Sequence, residues 1–457
     1  MKYSCFALLL LFFITLHTAP NIAVIGTGYV GLVTGPGLAE FGNQVTCADI
    51  DQNKIERLQQ GEIPIYEPGL EELVQHNVQQ NRLKFTHDVG AAIEEADIIF
   101  IAVGTPMGSD GNADLKYVQS VLKTISEHMN GFKIIVIKST VPVGTGRWAS
   151  YVLQNLGVQP DQFTMVSNPE FLREGSSVPD FLKPDRIVIG AESEQAHTTM
   201  NEIYSYAFAH DAQQINTNIE TSELIKYASN AFLAVKLSFI NEIANICDAT
   251  GAQVDTVAHA MGMDHRISDK FLNPGPGFGG SCFPKDSQAL ICLAQKNGIH
   301  VPVVQASLTT NQIQKVKPIE KLKELLRAKK LNAKTVAVLG LAFKANTDDI
   351  RYSPSIDVIR ILLEEYAQVK AYDPKAMDNM KHEMPNINYC DSIAEAVKDV
   401  DGVIIMTEWP EFKDLLDYIK YKKNKPVIVD TRNILDTKEL KNAGFTYATM
   451  GNGTNQN

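Results

Sequence analysis

From Asn21 onward, short apolar runs rich in β-formers alternate with longer stretches whose apolar positions recur at helical spacing. The runs NIAVIG, QVTCADI, DIIFIAVGTP, KIIVIKST, FTMVSNP and RIVIG have strand length, and their alternation with helical stretches predicts a parallel sheet with helices on both faces. Near Ile219 the pattern changes. The segment ETSELIKYASNAFLAVKLSFINEIANICDATG keeps helical spacing until Gly251 stops it, which predicts one long buried helix. A second helical stretch covers Val301 to Leu326, after which KTVAVLGLAF, QVKAYDP, GVIIMTE and PVIVDTR restore the strand pattern. The expected fold class is therefore α/β: two doubly wound domains joined by a central helical region with a long helix. The expected division is 1–19 as a hydrophobic extension, 20–212 and 319–450 as the two α/β domains, 213–318 as the helical middle and 451–457 as a polar tail.

Composition narrows the function classes. The 457 residues leave room for two to four domains, and 44% hydrophobic with 21% charged residues is globular rather than multi-span or low-complexity. A net charge of -11 without a long basic block argues against nucleic acid as a partner. The cysteines Cys5, Cys47, Cys247, Cys282, Cys292 and Cys390 show no close CxxC pairing, and the histidines are scattered, so a disulfide scaffold and a metal cluster are both unexpected. That points to a reduced, cytoplasmic protein. Residues 1–16, MKYSCFALLLLFFITL, pull the other way, because one Lys followed by an apolar run resembles a signal peptide. Only His17 to Pro20 separates that run from the first strand, so a mis-assigned start, an unusual extension, a signal and an anchor all stay open. An exported enzyme would meet little free dinucleotide.

The first strand runs into Gly26-Thr27-Gly28-Tyr29-Val30-Gly31, the spacing that turns tightly, approaches a pyrophosphate and packs a helix on the sheet. The next strand ends at Asp49, placed to grip a ribose 2′-hydroxyl, which makes NAD the expected cofactor and each α/β half Rossmann-like. Asp51 competes for that role from a less suitable position. Thr105 and Thr140 end apolar strands at the edge where such sheets bind ligands. The run Ser167 to Gly175 sets Glu170 and Glu174 four apart, on one face if the stretch is helical. Lys226 and Asn230 lie one turn apart on the long helix. In GFGGSCFPKD, Pro284 suits a first helical turn, so Cys282 falls near a positive helix end with Lys285 beside it, a setting that would lower a thiol pKa. Asp286 reaches the same site from the next turn, and the other cysteines read as inert buried side chains.

These motifs, together with LGLAFKANTDDIR, resemble in order the UDP-glucose/GDP-mannose dehydrogenase family from Asn21 to about Asn433. The resemblance implies oxidation of a sugar C6 alcohol to a carboxylate in two NAD-dependent steps, through a thiohemiacetal and a thioester on Cys282. It implies Lys226 and Asn230 for the developing negative charge, Glu170 as general base, and Asp286 and Thr140 to order the water. Gly26, Gly28, Tyr29, Val30, Gly31, Asp49, Lys54, Thr105, Thr140, Glu174, Lys285 and Arg351 are implied cofactor contacts, Glu174 remaining a second candidate base. Glu170, Phe171, Leu172, Arg173, Glu174, Lys226, Asn230, Phe271, Leu272, Asn273, Pro274, Gly275, Gly279, Lys344 and Arg432 are implied on the substrate side, with Arg266 reaching into a neighbouring subunit of a homodimer or larger homo-oligomer. UDP-glucose is the favoured substrate on the wording of GFGGSCFPKD and FLNPG. UDP-N-acetylhexosamine or GDP-mannose is the alternative, and a catalytically silent NAD-binding scaffold is the reading from another class. Departures are Pro36 in the phosphate-loop helix, expected to kink it or delay its start, and Asn273, Tyr352 and Ser353 near the substrate.

Overall fold

The computed structural model describes residues 20–455; the hydrophobic segment 1–19 lies outside the described residues, as do residues 456 and 457. The first sheet contains β1 (Asn21–Ile25), β2 (Gln44–Ala48), β3 (Leu83–Thr86), β4 (Ile98–Ile101), β5 (Lys133–Ile137), β6 (Phe163–Ser167), β7 (Arg186–Ala191) and β8 (Gln213–Thr217). Their order is β3-β2-β1-β4-β5-β6-β7-β8. β1 pairs in parallel with both β2 and β4, Ile22 lying opposite Val45 and Ile98, and the strand order reverses there. Such a reversal opens a ligand crevice at the strands' carboxyl ends. Alternate residues of β1, β4 and β5 feed two cores: Val24, Phe100 and Val136 on one face, Ile25, Ile101 and Ile137 on the other. Two buried faces explain why these strands read as continuous apolar runs.

The expected all-parallel sheet is corrected at β7, which runs antiparallel to β6 through Val166–Ala191 and Ser167–Gly190. The SNPEFLREG segment stays at the carboxyl edge instead of crossing back as a helix, so the chain re-enters the sheet from that same edge. β8 then pairs in parallel with β7, so this sheet extends past the expected boundary at 212. The helix Tyr29–Glu40 starts directly after Gly28, against the expected late start, and continues past Pro36. Packing accounts for its small residues: a Cβ on Gly35 would lie 2.1 Å from Cys47 Sγ, and one on Gly37 2.2 Å from the Phe181 ring. Gly31 is tighter still, since a Cβ there would sit 1.8 Å from the Gly26 carbonyl oxygen. Gly31→Ala is therefore expected to cost roughly 1–3 kcal/mol or more in urea unfolding and to abolish NAD binding in a fluorescence titration.

The long helix is Ile219–Thr250; the Asn218 side chain caps its start by accepting from Thr221 N at 2.8 Å, and Gly251 ends it with φ 76°. Only one face is buried, and that face carries Glu223, Lys226, Asn230 and Asn241. Leu224, Phe232, Phe239 and Ile246 are exposed on this chain, so the helix is not buried all round as its composition suggests. Among the described residues no helix is long and apolar enough to cross a membrane.

The second sheet contains β9 (Thr335–Leu339), β10 (Gln368–Tyr372), β11 (Asn388–Tyr389), β12 (Gly402–Ile405), β13 (Val427–Asp430), β14 (Tyr447–Thr449) and β15 (Thr454–Asn455), in the order β11-β10-β9-β12-β13-β14-β15. It repeats the reversal around β9. Here the acid at the end of the second strand, Asp373, is buried and accepts backbone N–H bonds from Leu341, Ala342, Lys375 and Ala376. It has no face left for a ribose, so only the first sheet keeps a dinucleotide grip. The expected polar tail is ordered in part: Gly451 N donates to Asp248 Oδ1 of the long helix at 3.2 Å, and β15 runs antiparallel to β14.

Candidate active site

The phosphate loop is shaped by three glycines with different duties. Gly26 has φ 102° and leaves no room for a Cβ against Ala102, Gly31 seats the helix on the loop, and Gly28 faces open space. The last is the place for a ligand's close approach. Asp49, just past β2, accepts from Thr27 N and Thr27 Oγ1, both at 2.8 Å, and pairs with Lys54 at 3.2 Å. Burial works to raise the Asp49 carboxyl, but these bonds outweigh it and hold it below the usual carboxylate range. Asp51 instead caps the helix Gln52–Gln59 by accepting from Lys54 N. Thr105 Oγ1 donates to the Thr140 carbonyl at 2.8 Å, tying together the ends of β4 and β5.

Past this edge lies a buried cluster. Lys226 Nζ and Glu170 Oε1 form an ion pair at 2.8 Å, with side chains 4% and 6% exposed. Burial acts to lower the Lys226 ammonium, yet Glu170, Cys282 and Asp286 together raise it above its ordinary value, so it stays a cation. One helical turn on, Asn230 Nδ2 donates to Asp286 Oδ2 at 2.6 Å, and Lys285 Nζ donates to Asp286 Oδ1 at 2.7 Å. Cys282 stands at the start of the helix Phe283–Lys296, with Pro284 in its first turn. The expected lowering of its thiol pKa is corrected: burial pushes it up to about 11, with Lys226 opposing and Glu170 and Asp286 adding to the rise. Lys285 does not serve the sulfur, because its charge is spent on Asp286.

Glu170 and Glu174 do not share a helical face, since the segment forms no helix and turns at Glu174 and Gly175. Glu170 Oε2 accepts from Leu172 N at 2.6 Å, whereas Glu174 Oε1 faces Arg351 at 3.3 Å and Ser281 Oγ at 3.5 Å. Glu174 Oε2 is buried without a hydrogen-bond partner. Arg351 clasps Asp349 and lies 5.4 Å from the centroid of the Tyr29 ring, and the Tyr29 hydroxyl donates to Asp348 Oδ1 at 2.6 Å. The phosphate loop is thereby joined to the second Rossmann-like half.

The glycine-rich loop is pinned from two sides. Asn241 Oδ1 accepts from Gly275 N at 2.8 Å, Gln314 Nε2 donates to its carbonyl at 2.8 Å, and Asn311 Oδ1 accepts from Phe278 N at 2.7 Å. Gly279 lies so close to the Tyr352 carbonyl that a Cβ would approach it at 2.3 Å. Arg432 donates to the Met406 and Phe343 carbonyls and reaches Gly275, while burial lowers the Lys344 ammonium and Glu174 opposes that shift. Arg432, which also pairs with Glu408 at 3.2 Å, lies against the loop, and a cation so placed suits a diphosphate. Leu272 and Pro274 are buried, and the Phe271 ring lies against Phe283. The Phe171 ring takes Arg186 at 3.9 Å and Lys226 at 5.4 Å.

Some expected residues fall elsewhere. Arg173 is largely exposed and paired with Asp180, Asn273 is exposed, and Arg266 is 78% exposed and paired with Asp264. The cluster also contains groups that the sequence reading passed over. Glu67 accepts from Gly175 N, Ser177 N and Ser177 Oγ and so fixes the end of SNPEFLREG. Lys138 and Asn168, both inside motifs noticed for their hydroxyls and acids, are buried and bonded to each other. Only the polar residue inside an otherwise apolar strand end could have signalled Lys138.

Two Rossmann-like sheets, one with a phosphate loop, together with a half-buried thiol at a helix start, define a dinucleotide-dependent oxidoreductase. Three family models match in succession: the NAD binding domain, central domain and UDP binding domain of the UDP-glucose/GDP-mannose dehydrogenase family, at residues 20–208, 220–313 and 337–437. The chain belongs to this family, and its cofactor is NAD. It is similar to the UDP-glucose 6-dehydrogenase TuaD of Bacillus subtilis, 48% identical over 94% of this chain and 93% of the relative, and to the UDP-glucose 6-dehydrogenase of Rhizobium meliloti, 44% identical over 94% and 99%. Among solved structures it resembles a UDP-glucose dehydrogenase from Pyrobaculum islandicum, with TM-score 0.88 and 38% identity over 95% of this chain and 98% of that one. The residues fit NAD, since Gly28 leaves open space on the phosphate loop and Asp49, bonded to Thr27 of that loop, stands just past β2.

Proposed function

We propose that the protein oxidises the C6 alcohol of UDP-glucose to UDP-glucuronate with two NAD and one water. The observation that carries this reading is the convergence of the half-buried Cys282 with the buried Lys226, Glu170, Asn230 and Asp286. NAD, when bound, accepts the hydride removed at each oxidation. As the alcohol proton passes to water, Lys226, held as a cation, stabilises the oxygen left negative, and Asn230 orients beside it. Cys282 then adds to the aldehyde: the S–C bond forms, and the proton leaving sulfur is matched by one gained at the new oxygen. The addition is proton-neutral overall, which makes a thiol at about 11 workable. After the second oxidation leaves a thioester, Glu170 takes a proton from water, which attacks the carbonyl and expels the thiolate. Asp286 and Thr140 order that water. Asp49, Lys54, Thr105, Glu174, Lys285 and Arg351 hold the cofactor, while Phe271 to Gly275, Gly279, Lys344 and Arg432 hold the nucleotide sugar. Arg173 and Asn273 act at the rim.

NADH formed per UDP-glucose consumed tests this, with Cys282→Ala as control. A ratio near two that vanishes in the variant is expected; a ratio near one means a simple alcohol dehydrogenase. NADH only from a UDP-N-acetylhexosamine or GDP-mannose reassigns the sugar, and bound NAD without turnover of any of them favours a silent scaffold.

The working unit proposed is a homodimer. Phe232, Phe239 and Ile246 are exposed and seven residues apart, so they form one apolar seam along the long helix, and Arg266, exposed though paired with Asp264, would exchange that partner for a neighbour's site. Phe232→Glu with Phe239→Glu is expected to yield monomers in sedimentation velocity with more than about tenfold loss of kcat. Operation in the cytoplasm follows from the demand for free NAD.

A further inference from the structure

Lys138 directly follows β5 and is 5% exposed. Its Nζ donates to Asn168 Oδ1 at 3.0 Å and lies 3.4 Å from the Tyr204 hydroxyl, which donates to the same amide oxygen at 2.7 Å. Asn168 is held in turn, its Nδ2 donating to the Val188 carbonyl and its N–H to that of Ile137. The rings of Phe181 and Tyr204 lie 5.9 and 5.8 Å from Nζ. Both hydrogen-bond partners of this ammonium are thus neutral, and its surroundings are aromatic. A buried cation in such a place is costly, and a neutral donor would serve Asn168 at less cost. The groups facing Lys138 are Asn168 and Glu170 from the loop after β6, Lys226 from the long helix, Tyr204, and Phe181. Burial pushes its ammonium down to about 7, Glu170 pulling up and Lys226 pushing down further. Asn168 stands two residues before Glu170, so Lys138 anchors the root of the loop that carries the carboxylate.

We propose that Lys138 is a positioning residue for the hydrolytic half-reaction: anchored on Asn168, it fixes the root of the Glu170 loop and through its charge opposes proton uptake by Glu170. This rests on the reading of Glu170 as the water-activating base. As pH rises and Lys138 discharges, the carboxylate takes the proton of water more readily. Hydrolysis of the thioester therefore gains a rising limb centred near 7, where the first oxidation has none.

The test follows decay of the acyl-enzyme by intact mass in single turnover from about pH 6 to about pH 9, with the first NADH burst as control, in wild type, Lys138→Gln and Lys138→Arg. Glutamine keeps the bond to Asn168 without charge, and arginine keeps the charge at every pH. The limb is expected in wild type alone, with Lys138→Arg slower than wild type by roughly tenfold at the alkaline end and the burst unchanged in all three. A limb that persists in both variants, or a burst that changes with it, overturns the proposal. Glu170→Gln separates the two readings: normal hydrolysis in that variant sinks the base assignment, whereas slow hydrolysis with the limb still present in the Lys138 variants sinks the lysine alone. Lysine 13Cε NMR gives a readout that needs no turnover. A resonance missing in Lys138→Gln should titrate near 7 and move lower in Glu170→Gln. Titration in the ordinary lysine range of about 10.4 overturns the proposal.

Discussion

Cys282→Ser is expected to bind NAD normally and to lose carboxylate formation, with kcat down by roughly 10³-fold or more. The cause lies in what the sulfur can do that oxygen cannot. A hydroxyl in this setting is a far poorer nucleophile towards the aldehyde, and any ester it formed would resist hydrolysis more than a thioester. The same burial that shields the intermediate raises the resting thiol to about 11. At pH 7 little of it is thiolate, so iodoacetamide should alkylate the free enzyme slowly and faster as pH rises towards that value. Removing the opposing cation in Lys226→Met should slow alkylation further at any pH. A Cys282→Ser enzyme within about tenfold of wild type would sink the assigned role, and rapid alkylation of Cys282 at pH 7 would overturn the raised thiol pKa.

The sheets were legible because both faces of β1, β4 and β5 are covered, which leaves unbroken apolar runs in the sequence. The edge strands were not: β8 reads QQINT and is largely exposed, and β3 and β15 carry too few apolar residues to stand out. The direction of β7 was hidden for a different reason. It depends on where the SNPEFLREG loop lies, and Glu67, more than a hundred residues away in sequence, helps to hold it there. For the site, motif spacing placed Lys226, Asn230, Cys282 and Asp286 on the right helices because local geometry fixes such relations. The thiol's rise was not readable, since it reflects burial by the whole fold outweighing a helix end. Nor could spacing show that Lys285 pairs with Asp286 and leaves the sulfur to Lys226.

Glu170→Gln should release about two NADH per site in a first turnover and then stall, with acyl-enzyme visible as a mass adduct on Cys282 and hydrolysis slowed by roughly 10²–10⁴-fold. Glutamine can still accept from Lys226 through its amide oxygen, so the fold should survive, whereas Glu170→Ala would strand a buried ammonium and cost roughly 3–5 kcal/mol. A thermal unfolding scan of both variants separates lost chemistry from lost stability. Glu174 is the rival base, and its environment decides against it. Burial, reinforced by Asp349 and opposed by Arg351, pushes its carboxyl up to about 8, so at neutral pH it is mostly protonated and cannot take a proton from water. Glu170 instead sits in an ion pair with Lys226, beside the sulfur. Glu174→Gln should therefore weaken NAD binding without building up acyl-enzyme. A mass adduct in that variant and none in Glu170→Gln would exchange the two roles.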